Sequence, residues 1–219
     1  MNNLTTSEPL QREHSGGRPS REAAAQIRGR ILEAARLLFL RDGYEKTSMD
    51  AISAELGMSK RTLYARFLGK ADLFEAMVAN VLERHLSALE EADLTGRSLR
   101  EQLWEIADRL LASSLDPDMV ALERVVTAEA QRFPKLAQLI HNYAADRTVG
   151  LVANILRSGS GKGIAREQVH RDAKVFLGLM ILPSLRGAVL GPEGFGIDTE
   201  GAALRQRSMD IFLAGAGYT

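Results

Sequence analysis

Apolar side chains recur along this chain at the spacing of helix faces, and no stretch of useful length alternates as a strand does. From Arg21, the residues Ile27, Ile31, Ala34, Ala35, Leu38 and Phe39 fall on one helical face, and the run stops at Asp42–Gly43. A short second helix is expected from Thr47, a third after Gly57 and a fourth from near Lys70. The fourth carries a stripe of Leu73, Phe74, Met77, Val81 and Leu82 to about Asp93. Leu99 to Ser114 reads as the fifth. Asp116 is placed to cap the next, with Pro117 in its first turn, where a missing N–H costs nothing. Pro134 opens a helix to about Ser158, and the loop GSGKG follows at 159–163. Residues 166–190 read as one strongly apolar helix kinked at Pro183; after the loop GPEGFG, residues 199–214 form the last helix. The expected fold class is all-α with about nine helices. It comprises a flexible polar arm at 1–20, a three-helix helix-turn-helix domain at 21–68 and a C-terminal helical bundle over 69–219.

The segment TSMDAISAELGMSKRTLYARF, residues 47–67, carries the chemistry. Thr47 and Asp50 have the spacing of a capping pair, and Ile52 and Leu56 lie four apart on one face. Gly57 supplies the left-handed conformation that ends a helix and turns the chain. Ser59 can cap the next helix, and Leu63 and Phe67, again four apart, point to the core. That leaves Lys60, Arg61, Thr62, Tyr64 and Arg66 facing outward. Two short helices at a tight glycine turn, the second with a basic and hydroxyl-rich outer face, is the arrangement that enters a DNA major groove. Lys60, Arg61 and Arg66 suit phosphates or guanine O6 and N7; Thr62 suits a phosphate or a thymine methyl; the Tyr64 phenol suits a phosphate and its ring a sugar or thymine. Lys70 at the start of the fourth helix offers its ammonium and a helix N-terminal N–H to a phosphate.

Charge sharpens this picture modestly. The chain is neutral overall, with 28 basic and 28 acidic side chains. Residues 1–70 hold twelve basic against eight acidic residues, and the remainder has the opposite excess, so only the first part suits a polyanion. The arm places Arg12 and Arg18, with Arg21 just beyond, around a Gly-Arg-Pro, a composition that fits the minor groove as well as it fits a plain tail. There is no cysteine, no apolar run of membrane-span length and no secretory leader at the start, which leads to the expectation of a cytoplasmic protein without disulfides.

The stretch from Gly17 to Val78 strongly resembles the N-terminal domain of the TetR (tetracycline-repressor-like) family. The likeness rests on Ile31, Ala34, Ala35 and Phe39, on Gly43–Tyr44, Thr47 and Gly57, on SKRTLYARF, and on Lys70 with Leu73–Phe74. It implies an all-α homodimer whose third helix reads double-stranded DNA and whose C-terminal domain binds a small molecule that changes the spacing of the two readers. Lys60, Thr62, Tyr64 and Lys70 stand where such proteins commonly contact DNA, and Thr47 and Ser59 of the same motif join Arg61 and Arg66 as further expected DNA contacts. Departures are Arg61 where glycine is frequent, Arg66 where histidine is frequent and Ser53 where alanine is usual.

The C-terminal body has fewer signals. The 166–190 helix is apolar nearly all round and is expected to be buried on most sides; the resemblance pairs it and the last helix, through Leu204, Ile211 and Phe212, with their twins. Trp104, Met119, Phe133, His141, Tyr143, Phe176 and Met180 are candidates to line a pocket for an uncharged, apolar effector. His14, His85, His141 and His170 are scattered, so neither a metal site nor a cofactor is expected. GSGKG is not a phosphate loop, because Leu156 replaces its first glycine and Gly163 its hydroxyl residue. No enzyme motif remains. The functions left are a ligand-relieved repressor, a ligand-dependent activator and, less compatible with zero net charge, a non-specific architectural protein.

Overall fold

The computed structural model describes residues 21–159, 164–191 and 199–218, with side chains throughout except at 135–145 and 199. Among these residues there are ten helices and no strand. They are α1 (Arg21–Lys46), α2 (Met49–Glu55), α3 (Lys60–Tyr64), α4 (Lys70–Glu90), α5 (Leu99–Ser114), α6 (Pro117–Glu129), α7 (Pro134–Gly159), α8 (Arg166–Met180), α9 (Leu182–Leu190) and α10 (Thr199–Ala216). The all-α expectation holds, with one helix more than the pattern suggested. The extra helix arises at Ile181, where the apolar run bends by 43°. Pro183 lies in the first turn of α9 and has no N–H to continue the ladder of α8. The arm and the loops at 160–163 and 192–198 lie outside the described residues.

Local chemistry sets the boundaries. Gly43 at φ 80 breaks α1 before its last turn. Ser98 and Glu101 form a reciprocal capping box at α5, and Asp116 caps α6 ahead of Pro117. The Tyr218 phenol donates to the Asp172 carboxylate (3.0 Å) and ties the chain end to α8; burial and that carboxylate push it up to about 12.

Two apolar cores result, and they meet along α4. One gathers Ile31, Phe39, Ile52, Leu63, Phe67, Leu73, Phe74 and Val81 with Leu122 and Val126 of α6. The other joins Leu86 and Leu89 of α4 to α5, α7, α8 and α10 through Leu103, Val152, Phe176 and Phe212. The first core therefore does not stop at residue 68: α4 runs through both, and α6 packs on α1. Arg36 of α1 reinforces this joint with an ion pair to Asp118 of α6.

A candidate nucleic-acid interface on α2 and α3

Helix α2 is capped by Ser48, whose hydroxyl accepts from the Ala51 N–H at 3.0 Å. This corrects the expectation for Thr47. That residue is 2% exposed, and its hydroxyl donates to the carbonyls of Gly43 (2.8 Å) and Leu38 (3.2 Å), pinning the end of α1 instead of facing outward. Asp50 is likewise no capping partner; its carboxylate accepts from the Lys60 ammonium at 2.7 Å. Ser53 is buried and donates to the Asp50 carbonyl (3.0 Å), so a hydroxyl is accommodated where alanine would do.

Gly57 adopts φ 58. Its N–H donates to the Ala54 carbonyl and the Met58 N–H to the Ser53 carbonyl (3.1 and 2.9 Å), the double closure of a glycine C-cap. Ser59 then caps α3, accepting from the Thr62 N–H at 3.2 Å, with its hydroxyl 2.8 Å from that of Thr62. Leu63 and Phe67 are buried at 0% and 2%, and Arg28 stacks over the Phe67 ring. A five-residue helix is not stable alone; these two anchors fix which way it faces. Its solvent side presents Lys60, Arg61 and Tyr64, all exposed, with Thr62 half-buried beside them.

Two expected contacts are placed differently. Arg66 is half-buried and donates to the Thr62 carbonyl (3.1 Å), closing the C-terminal end of α3. The Lys70 ammonium is occupied by the carbonyls of Tyr44 (2.9 Å) and Glu45 (3.2 Å) and lies 4.3 Å from the centre of the Tyr44 ring. It fastens α4 to the end of α1 rather than standing free for a phosphate. Gly69 provides no side-chain cap for the first N–H groups of α4.

This geometry has counterparts. The family profile described as bacterial regulatory proteins, tetR family, matches residues 31–77, and that described as AefR-like transcriptional repressor, C-terminal domain, matches residues 101–215, more than half of the chain. The chain belongs to the TetR family. The HTH-type transcriptional regulator UidR of Escherichia coli strain K12 is 30% identical over 140 residues, 64% of this chain and 69% of UidR. A TetR-family regulator from Mesorhizobium loti MAFF303099 superposes with a TM-score of 0.70 at 25% identity, over 88% of this chain and 97% of its own. The flavonoid-responsive regulator FrrA gives 0.65 at 26% identity, over 87% and 97%. This TetR-family chain is thus a DNA-binding transcriptional regulator by membership, and its relatives are regulators rather than enzymes.

Among the described residues, those expected to line an effector pocket divide between the two cores: Met119 and Phe133 at the first, Trp104, Phe176 and Met180 at the second. Met119 and Phe133 pack on the first core, with Phe133 edge-on to Tyr44 at 4.7 Å. Phe176 and Met180 are fully enclosed in the second core. Trp104 lies in a surface groove with Arg97, Arg100 and Gln206. The side chains of His141 and Tyr143 lie outside those described. Burial pushes up the carboxyl of Glu123 on α6, a residue the hydrophobic pattern does not mark.

The face expected to meet a twin also changes composition. Phe212 is 4% exposed, meets Phe176 edge-on and stacks on Tyr218 within its own subunit. Val175, Leu182, Leu204 and Ile211 are instead all more than half exposed, so α8 and its continuation are not buried on most sides within one chain. No single helix among the described residues is long and apolar enough to cross a membrane.

Proposed function

We propose that this chain is a homodimeric repressor that occupies a palindromic operator and leaves it when a small molecule binds in its C-terminal body. The observation that carries the reading is the outward face of α3. Arg61 and Tyr64 stand exposed on a helix locked from behind by Leu63 and Phe67, and Lys60 stands at its start. In this reading α3 enters the major groove, with Arg61, Lys60 and Tyr64 reaching base edges and Thr62 the backbone. Ser59 holds the start of the helix, Arg66 its end, and the α4 N-terminus beside Lys70 meets a phosphate. Residues 21–68 do the reading, and 69–219 do the pairing and sensing; the α4 and α6 joint lets each part bias the other.

The exposed apolar residues of α8, α9 and α10 support pairing with a second copy, because two-fold symmetry sets two readers on one side of the duplex about 34 Å apart. The description of the C-terminal profile supports repression, and the flavonoid-responsive relative supports relief by a small molecule. Such an effector must bind the DNA-incompetent conformation better. Inverting a 99:1 balance takes about 5.5 kcal/mol of that preference. A reader of the chromosome works in the cytoplasm.

Repeated selection of duplexes from a random pool tests this. The expected product is an inverted repeat bound at least about a thousandfold more tightly than scrambled DNA. Recovery of no consensus, with equal affinity for all duplexes, contradicts it.

A further inference from the structure

Asp50 is a carboxylate on the surface assigned to a polyanion. It occupies the first turn of α2, and its oxygen lies 2.7 Å from the Lys60 ammonium across the turn. Both side chains remain more than 60% exposed, 63% for Asp50 and 62% for Lys60. A pair so wet adds little to stability, and α2 already has its cap in Ser48. Lys60 opens α3, the end where backbone N–H groups disfavour a cation. Its ammonium nevertheless points back to α2. Arg61, next to it, makes no ion pair among the described residues.

An ammonium has three N–H donors, and the carboxylate takes one. The pair therefore carries no net charge but keeps two donors. We infer that Asp50 is a positioning residue that offsets the charge of the Lys60 ammonium and orients its two remaining donors, so that Lys60 discriminates between sequences more than it adds affinity for any duplex. This rests on α3 being the reading helix. Non-specific binding comes almost wholly from charge neutralisation of phosphates and weakens steeply with salt. A free Lys60 would strengthen that mode. A paired one adds less to it and still offers N–H groups to an acceptor such as guanine O6 or N7 in the operator.

The test is fluorescence anisotropy of wild type, Asp50→Asn, Asp50→Glu and Asp50→Asn/Lys60→Met. Each is titrated with the selected operator and a scrambled duplex over a range of salt, and a thermal melt checks the fold. For Asp50→Asn the expected result is up to about fivefold tighter binding to scrambled DNA, the full worth of an exposed pair. Its salt slope steepens by about 0.9, one further phosphate neutralised, while operator affinity changes less. The specificity ratio falls accordingly. Asp50→Glu keeps the wild-type slope, and adding Lys60→Met returns the slope to it. An unchanged slope for Asp50→Asn overturns the inference, as does an equal gain on both duplexes. A loss on the operator alone also overturns it, and makes Asp50 itself a base reader. Wild type that binds no duplex at low salt overturns the assignment of α3 as reader, and this inference with it.

Discussion

Phe74→Ala is expected to cost about 4 kcal/mol of folding stability. Phe74 is fully buried, and its ring meets Phe39 at 4.9 Å, Tyr44 at 5.0 Å and Phe133 at 6.2 Å. One side chain thus joins α1, α4 and the corner between α6 and α7. Truncation removes transfer energy and leaves a cavity among three rings that cannot all close on it. A domain of this kind holds about 5–15 kcal/mol in all, so the loss is a large share. Differential scanning calorimetry should show the midpoint falling by roughly 10 °C. Leu37→Ala, on the exposed side of α1, is the control and should shift it hardly at all. A Phe74→Ala protein that melts like wild type would mean the aromatic cluster is not the joint described.

A pair of charges on α10 should have the largest effect on function. Leu204 and Ile211 are each 52% exposed and seven residues apart, which sets them on one stripe. Neither supports its own subunit's core, so Leu204→Glu with Ile211→Glu should leave the subunit folded. Two such substitutions across a two-fold axis place four carboxylates in one apolar seam. Sedimentation equilibrium should show the species fall from twice the chain mass to 24.0 kDa. Operator affinity should fall at least about a hundredfold, because the second half-site is then no longer bound from an effective millimolar concentration. A variant that remains dimeric and binds normally would put the interface elsewhere.

How much of this could be read from the sequence depended on the range of the interaction. The glycine turn between α2 and α3 and the buried anchors of α3 were legible. Gly57, Ser59, Leu63 and Phe67 are specified by their immediate neighbours, and backbone geometry leaves them no alternative. Thr47 and Ser48 are both hydroxyl residues at the same boundary, and only the position of the Gly43 carbonyl decides which turns inward. Lys70 and Arg66 read as free cations because the carbonyls they bind are acceptors present at every residue and marked by none. Asp50 was legible as an acid in a first turn but not as the partner of a lysine ten residues on. The C-terminal body was least legible. An apolar stripe does not say whether a residue packs into its own core, as Phe212 does, or stands outside it, as Ile211 does. Met119 and Phe133 went to the first core, through contacts between α6 and α1 that no spacing announces.

A single titration tests α3 as the reading helix most directly. Arg61→Ala/Tyr64→Ala removes two exposed side chains that hold nothing in place, so the fold should survive unchanged. Measured by anisotropy on the selected operator, affinity should drop at least about thirtyfold, since a base-reading side chain is worth about 1–3 kcal/mol. On scrambled duplex the loss should be only a few-fold. Operator binding that stays at the wild-type level, in a variant whose melt also matches wild type, would contradict the assignment.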